Sequence, residues 1–197
     1  MRQQQQHEEM AVKELLKAGI FFREGKAMAR IRSSFSGPAR CVLDMSGALL
    51  LRADIETTSG KQLCAVEDAF AALHRVDGRR YCIYDAAGRP LIYGIPCYAP
   101  EEDPTGLGWP VYRLPRVDRA VICEGEGQAY CLLMKNSQNY LLEDADGNKL
   151  VQVLHRGLCG GWEIETVEAQ RPIPAEQLCG LFIFCRYLEQ ENEFLVV

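Results

Sequence analysis

The segment His155-Arg-Gly-Leu-Cys159-Gly-Gly-Trp162 sets an imidazole four residues from a thiol among glycines. A thiolate beside an imidazole is the arrangement of a cysteine nucleophile, so His155 and Cys159 are the candidates for Cys/His-dependent catalysis. The competing reading is a strand end followed by a Gly-rich turn, and it is favoured because the spacing alone does not establish a nucleophile. Asp144-Ala-Asp146-Gly147-Asn148 clusters oxygen donors of the kind a hard cation takes. As an EF-hand loop it fails, because Lys149 stands where that loop needs glycine and His155 where it needs the closing glutamate. Glu124-Gly-Glu126-Gly brings two carboxylates into a turn, but proximity in sequence does not assign a pair of glycosidase acids. Phosphate-loop, zinc-protease and nucleophile-elbow motifs are absent. These readings assign no catalytic residue, no metal ligand and no cofactor.

Nine cysteines (41, 64, 82, 97, 123, 131, 159, 179 and 185) form no C-x-x-C, and an odd, irregularly spaced set fits a reducing compartment. The expectation is a cytoplasmic protein whose cysteines act as small buried apolar groups. Between Lys13 and Arg40 seven basic residues face two acids, whereas from Glu163 onward seven acids face Arg171 and Arg186. Arg23, Lys26, Arg30 and Arg32 are therefore the candidate ligand-binding residues, with Arg30 and Arg32 on one face of a strand. A formal net charge of -5 speaks against general nucleic-acid binding, which draws its affinity from a basic surface.

The elements that must position these groups are mostly strands. One unit recurs three times: Val42-Leu43-Asp44-x-x-Gly47, Ile83-Tyr84-Asp85-x-x-Gly88 and Leu142-Glu143-Asp144-x-x-Gly147. Asp accepts local backbone N–H groups at the start of a turn, and Gly three residues later takes the positive φ that closes it, so each unit reads as a hairpin tip. Residues 29–35, 130–134 and 162–167 alternate as strands, the last with Trp162, Ile164 and Thr166 on one face. The Pro-rich stretch 98–110 reads as a loop inserted between strands. Three helices are expected. Residues 4–18 give a short amphipathic helix stopped at Gly19, Val66–Leu73 a second, and about 174–190 a third. The third carries Leu178, Leu181, Phe182, Ile183, Phe184, Cys185 and Leu188 and is apolar nearly all round, so it belongs inside a core. Its apolar run is too short for a transmembrane segment.

Several D-x-x-G hairpins followed by a hydrophobic C-terminal helix resemble the tubby C-terminal-like superfamily, in particular its LURP-one-related branch, and more distantly the phospholipid scramblases. The resemblance implies a closed antiparallel β-barrel of about twelve strands around the helix, over residues 27–197, within one domain of 1–197. Residues 1–19 would form a polar tail and the short N-terminal helix. Closure also follows from physics, since many hairpins leave sheet edges exposed unless the sheet closes, and so wide a barrel needs an apolar filling. Gly180 and Arg186 interrupt the helix: the glycine would permit close strand approach, and the arginine would have to reach a barrel mouth or pair with an acid.

The function expected is a non-catalytic cytosolic binding module, for anionic lipid headgroups or another phosphate-bearing ligand, as in some tubby relatives, or for a protein partner. The alternatives are the Cys/His enzyme at a barrel mouth and a self-associating homo-oligomeric scaffold paired through the N-terminal helix. No specific nucleic acid is expected as a partner.

Overall fold

The fold is seen in a computed structural model that describes residues 12–32, 41–43, 49–68, 80–98, 117–124, 129–167 and 173–193. In chain order the strands are β1 (Val12–Lys17), β2 (Ile20–Arg23), β3 (Lys26–Arg32), β4 (Cys41–Leu43), β5 (Leu49–Thr57) and β6 (Gln62–Asp68). There follow β7 (Tyr81–Asp85), β8 (Pro90–Tyr98), β9 (Val117–Glu124), β10 (Ala129–Asn136), β11 (Asn139–Glu143), β12 (Lys149–His155) and β13 (Trp162–Thr166), and then the helix α1 (Ala175–Glu193). The sheet runs β3-β2-β1-β13-β12 and onward down to β5-β4, with every neighbour antiparallel. Pairing of β3 with β5, from Ala29 opposite Thr57 to Arg32 opposite Asp54, closes twelve strands into a ring. The thirteenth strand, β4, extends along the other half of β5.

Helix α1 fills the ring, as expected. Leu178, Ile183, Phe184, Cys185 and Leu188 are at most 1% exposed, and Leu181 and Phe182 are nearly so. Burying a side chain of this size stabilises the fold by about 1.5–3 kcal/mol. Tyr187 is also buried; its hydroxyl donates to the Ala65 carbonyl at 3.2 Å, and its ring joins those of Tyr81 and Phe184. Two glycines let helix and wall approach. A Cβ on Gly180 would lie 2.0 Å from Ile83 Cδ1, and one on Gly94 of β8 would lie 3.0 to 3.3 Å from Tyr81, Ile122 and Phe184. Arg186 meets both of its expected requirements, lying at a barrel mouth over the Trp162 ring and forming an ion pair with Glu189.

Two hairpin tips take the expected form. The Asp85 and Asp144 N–H groups donate to Arg89 and Asn148 carbonyls, and Gly88 (φ 75°) and Gly147 (φ 82°) donate back to the aspartates' carbonyls. Each aspartate carboxylate also accepts two backbone N–H groups of its turn. The third tip, Asp44–Gly47, lies outside the described residues. A turn of the same bonding at 57–61, with Thr57 in place of aspartate and Gly60 at φ 84°, was not anticipated from the sequence.

The N-terminal helix is corrected. Residues 12–17 form β1, and the earlier part of 4–18 lies outside the described residues. Ala18-Gly19 (φ 50° and 74°) and Glu24-Gly25 (φ 49° and 74°) are two-residue turns with both residues at positive φ, the geometry that matches strand twist in a hairpin. They fold β1, β2 and β3 into a meander, so the barrel begins at Val12 and not at residue 27. Val66–Asp68 likewise ends β6 and starts no helix, because it pairs with both β5 and β7; residues 69–73 lie outside the described residues. Residues 99–110 of the Pro-rich stretch also lie outside them, while Tyr98 ends β8.

Candidate functional site

Helix α1 gives the barrel two distinct ends. At the end that receives its N terminus, Lys61 bonds Glu176, and Gln177 Nε2 donates to Glu124 Oε1 at 3.1 Å. The turns at 57–61, 85–89 and 144–148 lie at this same end, as the strand registers require. At the other end Arg186 and Glu189 emerge beside the β10–β11 and β12–β13 turns.

The receiving end holds a cavity of about 330 Å³ between the first half of α1 and the inner faces of β7 to β12. Its described lining is aliphatic and aromatic, including Ile83, Ile92, Ile122, Tyr130, Leu142, Leu150, Leu178, Leu181 and Phe184. Three polar side chains complete it: Glu124, Asp144 and Gln177. This is the composition of a small-molecule site, an apolar concavity with a few placed polar groups, at the lower end of the ~300–1,000 Å³ range. The Asn148 amide and the backbone N–H groups of Asn148, Asp146 and Gly147 hold the Asp144 carboxyl below its ordinary value of 3.8, so it is an anion at neutral pH.

At the opposite end a wider recess of about 770 Å³ surrounds Trp162. The indole packs against His155 at 4.8 Å, Phe182 at 5.3 Å and Tyr140 at 6.1 Å, with the Arg186 guanidinium 5.5 Å above it. His155 is thus a packing partner of Trp162. Cys159 is exposed in the β12–β13 turn, and no hydrogen bond joins the two among the described residues. The Sγ atoms of Cys179 and Cys185 lie inside the barrel. Burial pushes the Cys179 thiol up to about 12, with Glu176 and Glu14 adding to it, and burial raises Cys185 as well. Thiols so placed are poor nucleophiles.

The four basic candidates do not form one patch. Arg23 Nε bonds the buried Glu14 of β1, and its Nη2 donates to the Ile173 carbonyl at 2.6 Å, pinning the chain just before α1. Lys26, Arg30 and Arg32 are exposed on β3, with Ala29 and Ile31 buried between and beside the arginines, so Arg30 and Arg32 share the outward face. Their neighbours on β5 are acidic: Arg32 pairs with Glu56 at 3.3 Å and faces Asp54 in register, and Arg30 faces Glu56.

Sequence reasoning did not find the cavity, and its weak signal was the choice of Ile or Leu at strand positions beside the 85–89 and 144–148 hairpin tips. Comparison with known proteins adds no assignment: no protein-family model, curated protein or solved structure matches this chain.

Proposed function

We propose that the protein is a non-catalytic binding module that works in the cytosol and takes its ligand in the cavity at the receiving end of the barrel. The observation that carries this reading is the cavity itself, with a largely apolar lining between helix and wall and a few polar side chains, Glu124, Asp144 and Gln177, among its described lining residues. Transfer of an alkyl group from water into such a site is favourable by about 0.8 kcal/mol per CH₂. The D-x-x-G hairpins and the helix-filled ring agree with the resemblance to tubby-like proteins, and membership of that superfamily is part of the proposal. None of the helices among the described residues is long and apolar enough to cross a membrane, and eight described cysteines are free thiols.

Anionic lipid headgroups at β3 are the second reading, favoured by the shared outward face of Arg30 and Arg32. It ranks lower because Glu56 and Asp54 offset both arginines and Arg23 is committed to Glu14. Calorimetric titration with 1-octanol tests the leading reading. Saturable one-to-one binding is expected, abolished in Leu150→Trp, which fills the cavity, provided that variant still melts cooperatively. Absence of octanol binding, together with binding to anionic vesicles that Arg30→Glu/Arg32→Glu removes, would transfer the function to β3.

A further inference from the structure

We infer that the cavity selects single-chain amphiphiles with a cationic head over neutral or anionic ones, an inference that rests on the reading of the cavity as the ligand site. The apolar floor accepts the chain, and the charge of its mouth decides the head. Two carboxyl side chains, Glu124 and Asp144, line the cavity, and no Lys, Arg or His lines it among the described residues. Asp144 keeps its negative charge because its turn stabilises the carboxylate. Gln177 does not offset Glu124, since its amide is neutral and already donates to that carboxylate.

A helix N terminus lies at the same mouth and would by itself favour an anion. In this chain that preference is met internally. Glu176, in the first turn of α1, accepts its own backbone N–H. Burial raises its carboxyl, but the bonds from Lys61 and the backbone outweigh burial and hold it below its ordinary value. Lys61 is in turn bound to Glu176, and Arg23 to Glu14. Among the described residues, Lys61 and Arg23 are therefore paired with acids of their own, while Glu124 and Asp144 line the cavity that a head group would enter. An ammonium group beside either would gain roughly what a partly exposed ion pair supplies, whereas a carboxylate there would be repelled by both.

Three ligands of equal chain length separate the possibilities: octylamine, 1-octanol and octanoate, titrated into the full-length protein at pH 7 and low salt. The expected order is octylamine, then octanol, then octanoate, with roughly tenfold between the ends, narrowing at 1 M salt where screening acts within about 3 Å. Glu124→Gln combined with Asp144→Asn, which keeps the turn's acceptor, should bring octylamine to the affinity of octanol. Equal affinities for all three, or preference for octanoate, would overturn the charge selection and leave the apolar site standing. If none binds, the site falls as well. Binding of a Lys/Leu amphipathic peptide without binding of octylamine would overturn the choice of a small amphiphile in favour of a protein partner.

Discussion

Glu14 shows how a single residue can contradict the pattern around it. It points inward from β1, 4% exposed, and burial raises its carboxyl above the ordinary 4.5 while Arg23 opposes that rise. A carboxyl whose folded pKa is raised adds stability that is complete below the unfolded value and is lost as pH climbs through the folded value. Wild-type protein should therefore lose stability between pH 4.5 and neutrality relative to Glu14→Gln, in urea melts run at both pH values. Arg23→Met should steepen this loss and cost about 3–5 kcal/mol at pH 7, because it leaves the carboxylate buried without its partner. Equal pH dependence in wild type and Glu14→Gln would contradict this account. The same residue hid β1 in the sequence: a glutamate at an inward position breaks strand alternation, and the spacing of Met10, Leu15 and Leu16 imitates a helix. Ala-Gly and Glu-Gly are also weaker hairpin signals than Asn-Gly or Asp-Gly.

Among the elements, α1 was the most legible, because a nearly all-apolar helix has only an interior to occupy. The tips at Asp85 and Asp144 were legible for a local reason, since their bonds are made within five residues. The contact between Gly180 and Ile83 was legible on the helix alone; its partner strand was not, because the two are about a hundred residues apart. Gly180→Ala should destabilise the protein: overpacking costs about 1–3 kcal/mol, and higher helix propensity returns up to about 1 kcal/mol. Ile83→Val removes the atom that lies 2.0 Å from the new Cβ. On its own that change should cost about 0.5–1.5 kcal/mol, yet in the Gly180→Ala background it should raise the urea midpoint. Strict additivity of the two changes would show that β7 does not pack on α1 at this point.

At the scale of the whole molecule, closure through β3 and β5 makes the wall continuous, and α1 fills the interior between the recess at the opposite mouth and the cavity at the receiving end. That residual space was not legible in the sequence, because residues as distant as Ile83, Ile122, Leu150 and Leu178 meet only after the ring has closed. The isoleucines offer a direct reading of it. Ile83, Ile92, Ile122 and Ile173 line the cavity, Ile55 and Ile164 are buried elsewhere in the barrel, and Ile95 is exposed. Methyl NMR of isoleucine-labelled protein titrated with octylamine should show saturable shifts at Ile83, Ile92, Ile122 and Ile173, with Ile55, Ile164 and Ile95 unmoved. Shifts confined to Ile95, or a spectrum that does not change at all, would contradict the account.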